Sequence, residues 1–378
     1  MYRLCLKGDR MDKELFMEML DVDSTTGREG TFAAFLAGRL MTDGCRLERY
    51  PVDSMASDVP DGCPVPENLL FSWGNPDVVF CTHMDTVPPY IPAVHDGGEF
   101  RGRGTCDAKG QIFSMYEACR QLALEGHDGF ALLLLAGEET GSFGAKSFRD
   151  VHPGAKWVIV GEPTDNCMAS ASKGTKAFEL IFSGMAAHSG YPENGVSAVM
   201  MFNDFVNALR SIEFPEDEIL GPTTWNIGKL ESRNPQNILS DRLTCRLYFR
   251  TTFASDEMVC SVMKNIAGEN ARLRFGRRRA ADGSDLAVSG VAPWQKSLEV
   301  RALGGDTPTR YDVLEGFPDK PVAFGSDAPQ LTNFEHRILC GPGSILVAHT
   351  PQEYVRECDL ASATEIYKQI FHKVHKSR

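Results

Sequence analysis

The sequence is marked first by what it lacks. No apolar run approaches the ~20 residues that a membrane-spanning helix needs. The opening stretch, Met1-Tyr2-Arg3-Leu4-Cys5-Leu6, is too short an apolar segment for a secretory signal. Positive charge is in deficit, with 39 Lys and Arg against 51 Asp and Glu and a formal net charge of -12. That balance argues against a nucleic-acid backbone as the main partner. The 11 cysteines show no pairwise spacing, and their odd number suits reduced thiols in a cytoplasmic protein. There is no internal repeat and no low-complexity tract. What remains is an ordinary globular composition, 42% hydrophobic and 24% charged. At 378 residues two domains are expected rather than one core.

The chain is organised around Val78-Val79-Phe80-Cys81-Thr82, a short apolar run that predicts a buried strand. It ends on His83, with Asp85 two residues on. Residues i and i+2 of an extended chain point the same way, so this carboxylate can hold the second ring nitrogen of a metal-bound imidazole. A capped strand with a polar turn is the plainer reading of the tripeptide.

Two further runs follow the same plan. Phe130-Ala131-Leu132-Leu133-Leu134-Leu135-Ala136 has no alternation, as in a strand buried on both faces, and stops at Gly137-Glu138-Glu139. Trp157-Val158-Ile159-Val160 runs into Gly161-Glu162-Pro163. Open α/β sheets bind ligands beyond the carboxyl ends of their strands, and all three runs deliver His or Glu there. Asp107 follows a glycine-rich loop, Gly102-Arg103-Gly104-Thr105-Cys106, and precedes a helical pattern of Ile112, Met115, Tyr116, Cys119 and Leu122. It can be a helix cap or a ligand. Before these lie two expected helices, one burying Leu15, Phe16, Met19 and Leu20, the other Phe32, Ala33, Phe35 and Leu36.

From about Gly174 the pattern changes to strand, helix, strand, strand, helix, which suggests an α+β insert with an open sheet. Its first helix shows Val199, Phe202, Val206 and Leu209 at helical spacing, and its last spans about 256–269. The basic run Arg272, Arg274, Arg277, Arg278 and Arg279 reads as a solvated hairpin. After Ser289 the first domain is expected to resume, although residues 289–323 match no pattern. A strand at Arg337–Leu339, His349 in a loop and an amphipathic last helix complete the chain.

Together His83, Asp107, Glu139, Glu162 and His349 offer two imidazoles and three carboxylates. That set suits zinc or cobalt and would be poor for calcium. If one carboxylate bridges, each of two metals has three protein ligands and room for a shared water.

At this point the sequence resembles the acetylornithine deacetylase, succinyl-diaminopimelate desuccinylase and aminoacylase group of dinuclear zinc amidohydrolases, with its related carboxypeptidases and dipeptidases. The motifs are His83-Met84-Asp85-Thr86-Val87-Pro88, Gly102 to Gly110, Gly137-Glu138-Glu139, Gly161-Glu162-Pro163-Thr164, Ala187-His188-Ser189-Gly190 and Gly341-Pro342-Gly343 through His349 to Glu353. They occur in family order over nearly the whole chain.

The resemblance implies an α/β fold: a discontinuous zinc-exopeptidase-like catalytic domain, residues 1–173 and 289–378, with a mixed sheet flanked by helices. An α+β dimerisation domain, 174–288, is inserted in it. It implies two zinc or cobalt ions per subunit, bridged by Asp107 and a water or hydroxide, with His83 and Glu162 on one and Glu139 and His349 on the other. Asp85 would orient His83, and Glu138 would be the general acid/base. His188 would steady the oxyanion in the active site of a homodimer partner. Asn237, Arg250, Gly325 and Ser326 would bind the substrate.

Phe324-Gly325-Ser326-Asp327 and Gln352 depart from the commoner family forms, and Cys106 is unusual beside the bridging acid. The closing segment most resembles the acetylornithine deacetylase branch. The expected activity is therefore removal of the acyl group from an N-acyl amino acid, N-acetylornithine in arginine biosynthesis or a relative. A succinylated substrate or a dipeptide is the alternative, and a catalytically inactive binding homologue belongs to another class. No nucleic-acid or membrane partner is expected.

Overall fold

Strands buried on both faces need apolar side chains at every position, and three such runs build the middle of the larger sheet. The computed structural model describes residues 11–267, 278–279, 285–286 and 297–375. Two compact units divide the chain: Met1–Ser170 with Tyr311–Lys320 and Ser326–Arg378, and Ala171–Arg310 with Pro321–Gly325.

In the first unit β1 (Cys45–Pro51), β2 (Glu67–Trp73), β3 (Val78–His83), β4 (Phe130–Leu135), β5 (Trp157–Val160) and a sixth strand, His336–Leu339, form one mixed sheet. Its order is β1-β2-β4-β3-β5 and then the sixth strand. β4, β3, β5 and the sixth strand are mutually parallel, while β2 runs antiparallel to both of its neighbours, β4 and β1. Register aligns His83 with Leu135 and Cys81 with Val160, so the parallel strands finish along one edge. That shared edge is why three acidic turns distant in sequence leave the sheet together.

Helices α1 (Lys13–Asp21), α2 (Glu29–Arg39), α3 (Lys109–Leu124) and the C-terminal helix Glu357–His375 supply the rest of this core. Asp12 caps α1 by accepting the Leu15 N–H at 3.0 Å. Leu15, Phe16, Met19 and Leu20 are buried, as their spacing predicts. Phe35, expected on the buried face of α2, only packs partly against the core.

The second unit is a four-stranded antiparallel sheet. Its strands β6 (Gly174–Ser183), β7 (Thr224–Glu231), β8 (Arg242–Thr251) and β9 (Ser297–Gly304) lie in the order β7-β8-β6-β9. Helices α4 (Ala198–Arg210) and α5 (Asp256–Ala267) cover it through Phe205, Leu209, Val259 and Met263.

Two expectations are corrected here. The return to the first domain at 289 is displaced, because β9 pairs with β6 along Ser297–Gly304 and keeps the second unit going to Arg310. A short piece, Pro321–Gly325, also belongs to that unit, so Gly325 does not lie in the first. The buried face of α4 is Ala198, Met201, Phe205 and Leu209; Val199 is 40% exposed, and Phe202 and Val206 are only partly buried. Both faces carry apolar residues, so the spacing alone admits either. Within the basic run, Arg278 and Arg279 pair antiparallel with Leu286 and Asp285. Arg272, Arg274, Arg277 and Ser289 lie outside the described residues. Among the described residues no helix is long and apolar enough to cross a membrane, and ten cysteines are free.

Candidate metal centre

The site begins where β3 ends. Nε2 of His83 lies 3.1 Å from Oδ1 of Asp107, and its Nδ1 lies 2.9 Å from the main-chain oxygen of Asp85. Sequence reasoning expects the Asp85 carboxylate to hold this ring. It is 3.5 Å away, and the nearer acceptor is the carbonyl of the same residue. The carboxylate instead accepts the main-chain N–H groups of Glu138 at 3.0 Å and Glu139 at 3.1 Å, and the hydroxyl of Thr26 at 3.0 Å. Asp85 therefore ties the acidic turn after β4 to the end of β3.

Asp107 stands between two imidazoles. Its Oδ1 faces His83 and its Oδ2 lies 3.3 Å from Nε2 of His349. It does not cap α3: the residue at that position is Ala108, and no side chain caps the helix. Nε2 of His349 also lies 3.1 Å from Oε1 of Glu139. His349 has φ 63°, the left-handed region that a residue with a Cβ adopts at a cost of order 1 kcal/mol. The same region is used by Gly104 (φ 83°), where a Cβ would come within 3.0 Å of the Thr86 side chain. The glycine-rich loop can thus lie close against the end of β3.

Glu353 fixes the Asp107 segment from below. One oxygen accepts the N–H groups of Cys106 and Asp107, each at 3.1 Å, and the other takes the Arg103 guanidinium at 2.5 Å. A small antiparallel ladder, Tyr354–Arg356 on Glu99–Arg101, brings His349 and Glu353 to this loop. Glu162, buried at the end of β5, has an oxygen (Oε1) with no hydrogen-bond partner.

Two groups of ligand atoms follow, His83 with Asp107 and Glu162, and Asp107 with Glu139 and His349, each gathered within 4.8 Å. A further grouping joins His83 with Glu138 and Glu139. Burial, then the neighbouring Asp107, pushes Glu162 well above the usual carboxylate range. Burial likewise raises Glu138, with Asp327, Glu139 and Asp85 adding to it against the pull of His83. Asp327, also buried, is itself pushed up to about 7. Burial works against ionised Asp107, but His349 and His83 overcome it and hold it low. Contacts with Asp107 and then Glu139 raise His349 to about 10.

So many acids share two imidazoles that protein groups alone cannot balance the charge. Divalent cations would, and the orphaned oxygen of Glu162 and the two-sided posture of Asp107 fit a pair of them.

The remaining candidate residues fall apart from this cluster in sequence and partly in unit. His188, Asn237, Arg250 and Gly325 belong to the second unit and Ser326 to the first. Within the second unit the His188 and Asn237 turns are adjacent, Ser189 N–H donating to the Asn237 carbonyl at 2.9 Å. The Arg250 guanidinium lies over the Tyr248 ring at 5.1 Å, and a Cβ on Gly325 would sit 3.7 Å from its Nη1. Ser326 is buried and its hydroxyl accepts the Ala328 N–H at 3.3 Å.

Residue-by-residue reading misses Glu29, Arg103 and Asp327 and underrates Glu353. The signal for Glu353 is its place at the end of the Gly341-to-Glu353 motif, four residues after His349.

The chain is similar to known proteins over nearly its whole length. The chain is 30% identical over 367 residues to a peptidase M20 domain-containing protein of Schizosaccharomyces pombe, covering 94% of this chain and 83% of that one. It is 29% identical over 397 residues to a probable carboxypeptidase of Emericella nidulans, covering 94% and 88%. Its fold matches the crystal structure of an aminopeptidase (PepT) from Bacillus cereus with a TM-score of 0.71, at 23% identity over 96% of this chain and 98% of that one. The model of peptidase family M20/M25/M40 matches residues 79–373, a span that holds every ligand candidate above. The chain belongs to peptidase family M20/M25/M40.

Proposed function

We propose that the chain is a dinuclear metal-dependent hydrolase that releases a carboxylate-bearing amino acid from a short peptide or an N-acyl derivative. The observation that carries this reading is the reach of Asp107 toward His83 with one oxygen and toward His349 with the other. In it His83 and Glu162 would hold one ion and Glu139 and His349 the other, with Asp107 offering an oxygen to each. The nitrogen and oxygen donors suit zinc or cobalt.

When bound, the ions supply a polarised scissile carbonyl and a water whose pKa falls from 15.7 towards ~7. Glu138 would act as the general base that takes a proton from the attacking water and returns it to the departing amine. Asp85 keeps Glu138 and Glu139 in fixed register through their main-chain N–H groups.

Arg250 receives the substrate carboxylate, with Gly325 leaving space beside its guanidinium. His188 steadies the developing oxyanion from the partner of a homodimer. A cytoplasmic setting fits the unpaired cysteines.

Peptide cleavage stands first because a relative covered over most of its length is named a probable carboxypeptidase. A second reading, deacetylation of N-acetylornithine in arginine biosynthesis, rests on the Gly341–Val355 segment, which resembles the acetylornithine deacetylase branch.

The test is a substrate panel with zinc- or cobalt-loaded protein: dipeptides, N-acetylornithine, N-succinyl-diaminopimelate, and the same molecules amidated at the carboxylate. Turnover of dipeptides above the others, lost on amidation, is the expected result. Preference for N-acetylornithine would select the second reading, and equal turnover of amidated substrates would remove Arg250 from its role.

A further inference from the structure

At the end of α3 away from Asp107 stand three side chains that the hydrolytic centre does not use. Glu125, His127 and His372 each offer a ligand atom, all within 4.8 Å of one another. Glu125 caps α3, and the chain turns through Gly126 (φ 84°) to present His127. His372 comes from the last turn of the C-terminal helix, which packs along α3. At 1.5 Å per residue, the length of α3 puts this cluster about 24 Å along the helix from its Asp107 end.

The two imidazoles are oriented by ring packing rather than left to swing. His127 meets His372 edge-on at 4.9 Å and Phe371 at 5.9 Å, and Phe371 meets His372 at 5.5 Å. Phe371 itself is buried in the core. Glu125 is shared: Oε1 accepts from Lys368 at 2.7 Å, while Oε2 lies 4.0 Å from Nε2 of His127. That second separation is too long for a hydrogen bond. It is about half an ångström wider than the ~3.3–3.6 Å between two ligand atoms that each sit ~2.0–2.2 Å from a tetrahedral ion, so a small rotation of the Glu125 carboxylate would bring both to one ion.

We propose that Glu125, His127 and His372 form an additional cation site, for a divalent transition metal of the zinc or nickel class. It ties the end of α3 to the C-terminal helix. Two imidazoles and one carboxylate select such metals over calcium or magnesium, which prefer all-oxygen shells. α3 begins two residues after Asp107, and the C-terminal helix begins four residues after Glu353. An ion here would therefore fasten the far ends of two helices whose near ends carry the hydrolytic loop. Because it binds the folded chain, it raises thermal stability by mass action.

The probe is Zn²⁺ alone, read as ions bound per chain by equilibrium dialysis and as the shift in thermal midpoint. His127→Ala and His372→Ala are each expected to bind one zinc fewer than the wild type, or to bind it at least tenfold more weakly. Both should lose the last zinc-dependent rise in thermal midpoint. Hydrolysis should be unchanged in either. Lys368→Met, which frees Glu125, is expected to tighten the same site severalfold, so a gain is read beside the loss. The proposal is overturned if His127→Ala and His372→Ala bind as many zinc ions as the wild type with equal affinity. It is also overturned if Lys368→Met leaves that affinity unaltered.

Discussion

The carboxylate of Asp85 accepts the main-chain N–H of Glu138 at 3.0 Å, holding the acidic turn to the end of β3. It accepts the next N–H as well, from Glu139 at 3.1 Å. Its role is to place the Glu138–Glu139 backbone as much as to face His83. Asp85→Ala should lower kcat/KM by about 10–100-fold, the usual cost of losing a group that orients ligands. Elemental analysis beside the kinetics checks it: a metal content that falls along with the rate is expected.

Glu138 differs in kind, because among the described residues no main-chain group hydrogen-bonds to its side chain. Glu138→Gln should reduce turnover by at least ~10²–10⁴-fold while metal content stays at the wild-type value. Turnover near the wild-type rate would remove Glu138 as the group that moves the proton.

Beside the site, Arg103 and Glu353 are 3% and 0% exposed and paired. Glu353→Ala would leave a buried guanidinium without its counter-charge and free two buried N–H groups, costing about 3–5 kcal/mol. The double change Arg103→Met with Glu353→Leu should cost less than Glu353→Ala, because no charge is then stranded. Denaturant unfolding of the two proteins compares them directly.

A pH effect follows from Glu29, which begins α2 and is buried. Its carboxylate accepts the Gly27 N–H at 2.5 Å. Burial, then the nearby Asp85 charge, raises it from 4.5 to about 8. The folded chain therefore keeps a proton that the unfolded chain has lost. The stability this group contributes is full below about 4.5 and is lost as pH rises towards 8. Glu29→Gln imitates the protonated form, so it should be near neutral at pH 5. At pH 8 it should stabilise the fold by on the order of 2 kcal/mol. Unfolding curves at the two pH values read the sign.

Much of this architecture is legible in the chain because β3, β4 and β5 are apolar at nearly every position, a pattern that only a strand buried on both faces requires. Their ends locate His83, Glu139 and Glu162. β9 was not legible: it is an edge strand carrying Glu299 and Arg301, and nothing local says that it pairs with Gly174–Ser183. β1 is similar, with Arg46, Glu48 and Arg49 along an edge. The acceptor role of Asp85 and the grip of Glu353 on Asp107 depend on main-chain N–H groups brought near by folding. Those groups carry no residue signature, so side-chain patterns cannot report them.

Asp107 between His83 and His349 is the point on which the hydrolytic reading turns. The most direct measurement titrates metal-free wild type and Asp107→Ala with Co²⁺, following ions bound per chain and dipeptide hydrolysis together. Two ions per wild-type chain in the Asp107 centre, and loss of both binding and hydrolysis in the variant, is the predicted result. A variant that still binds the same ions and hydrolyses at the wild-type rate would contradict it.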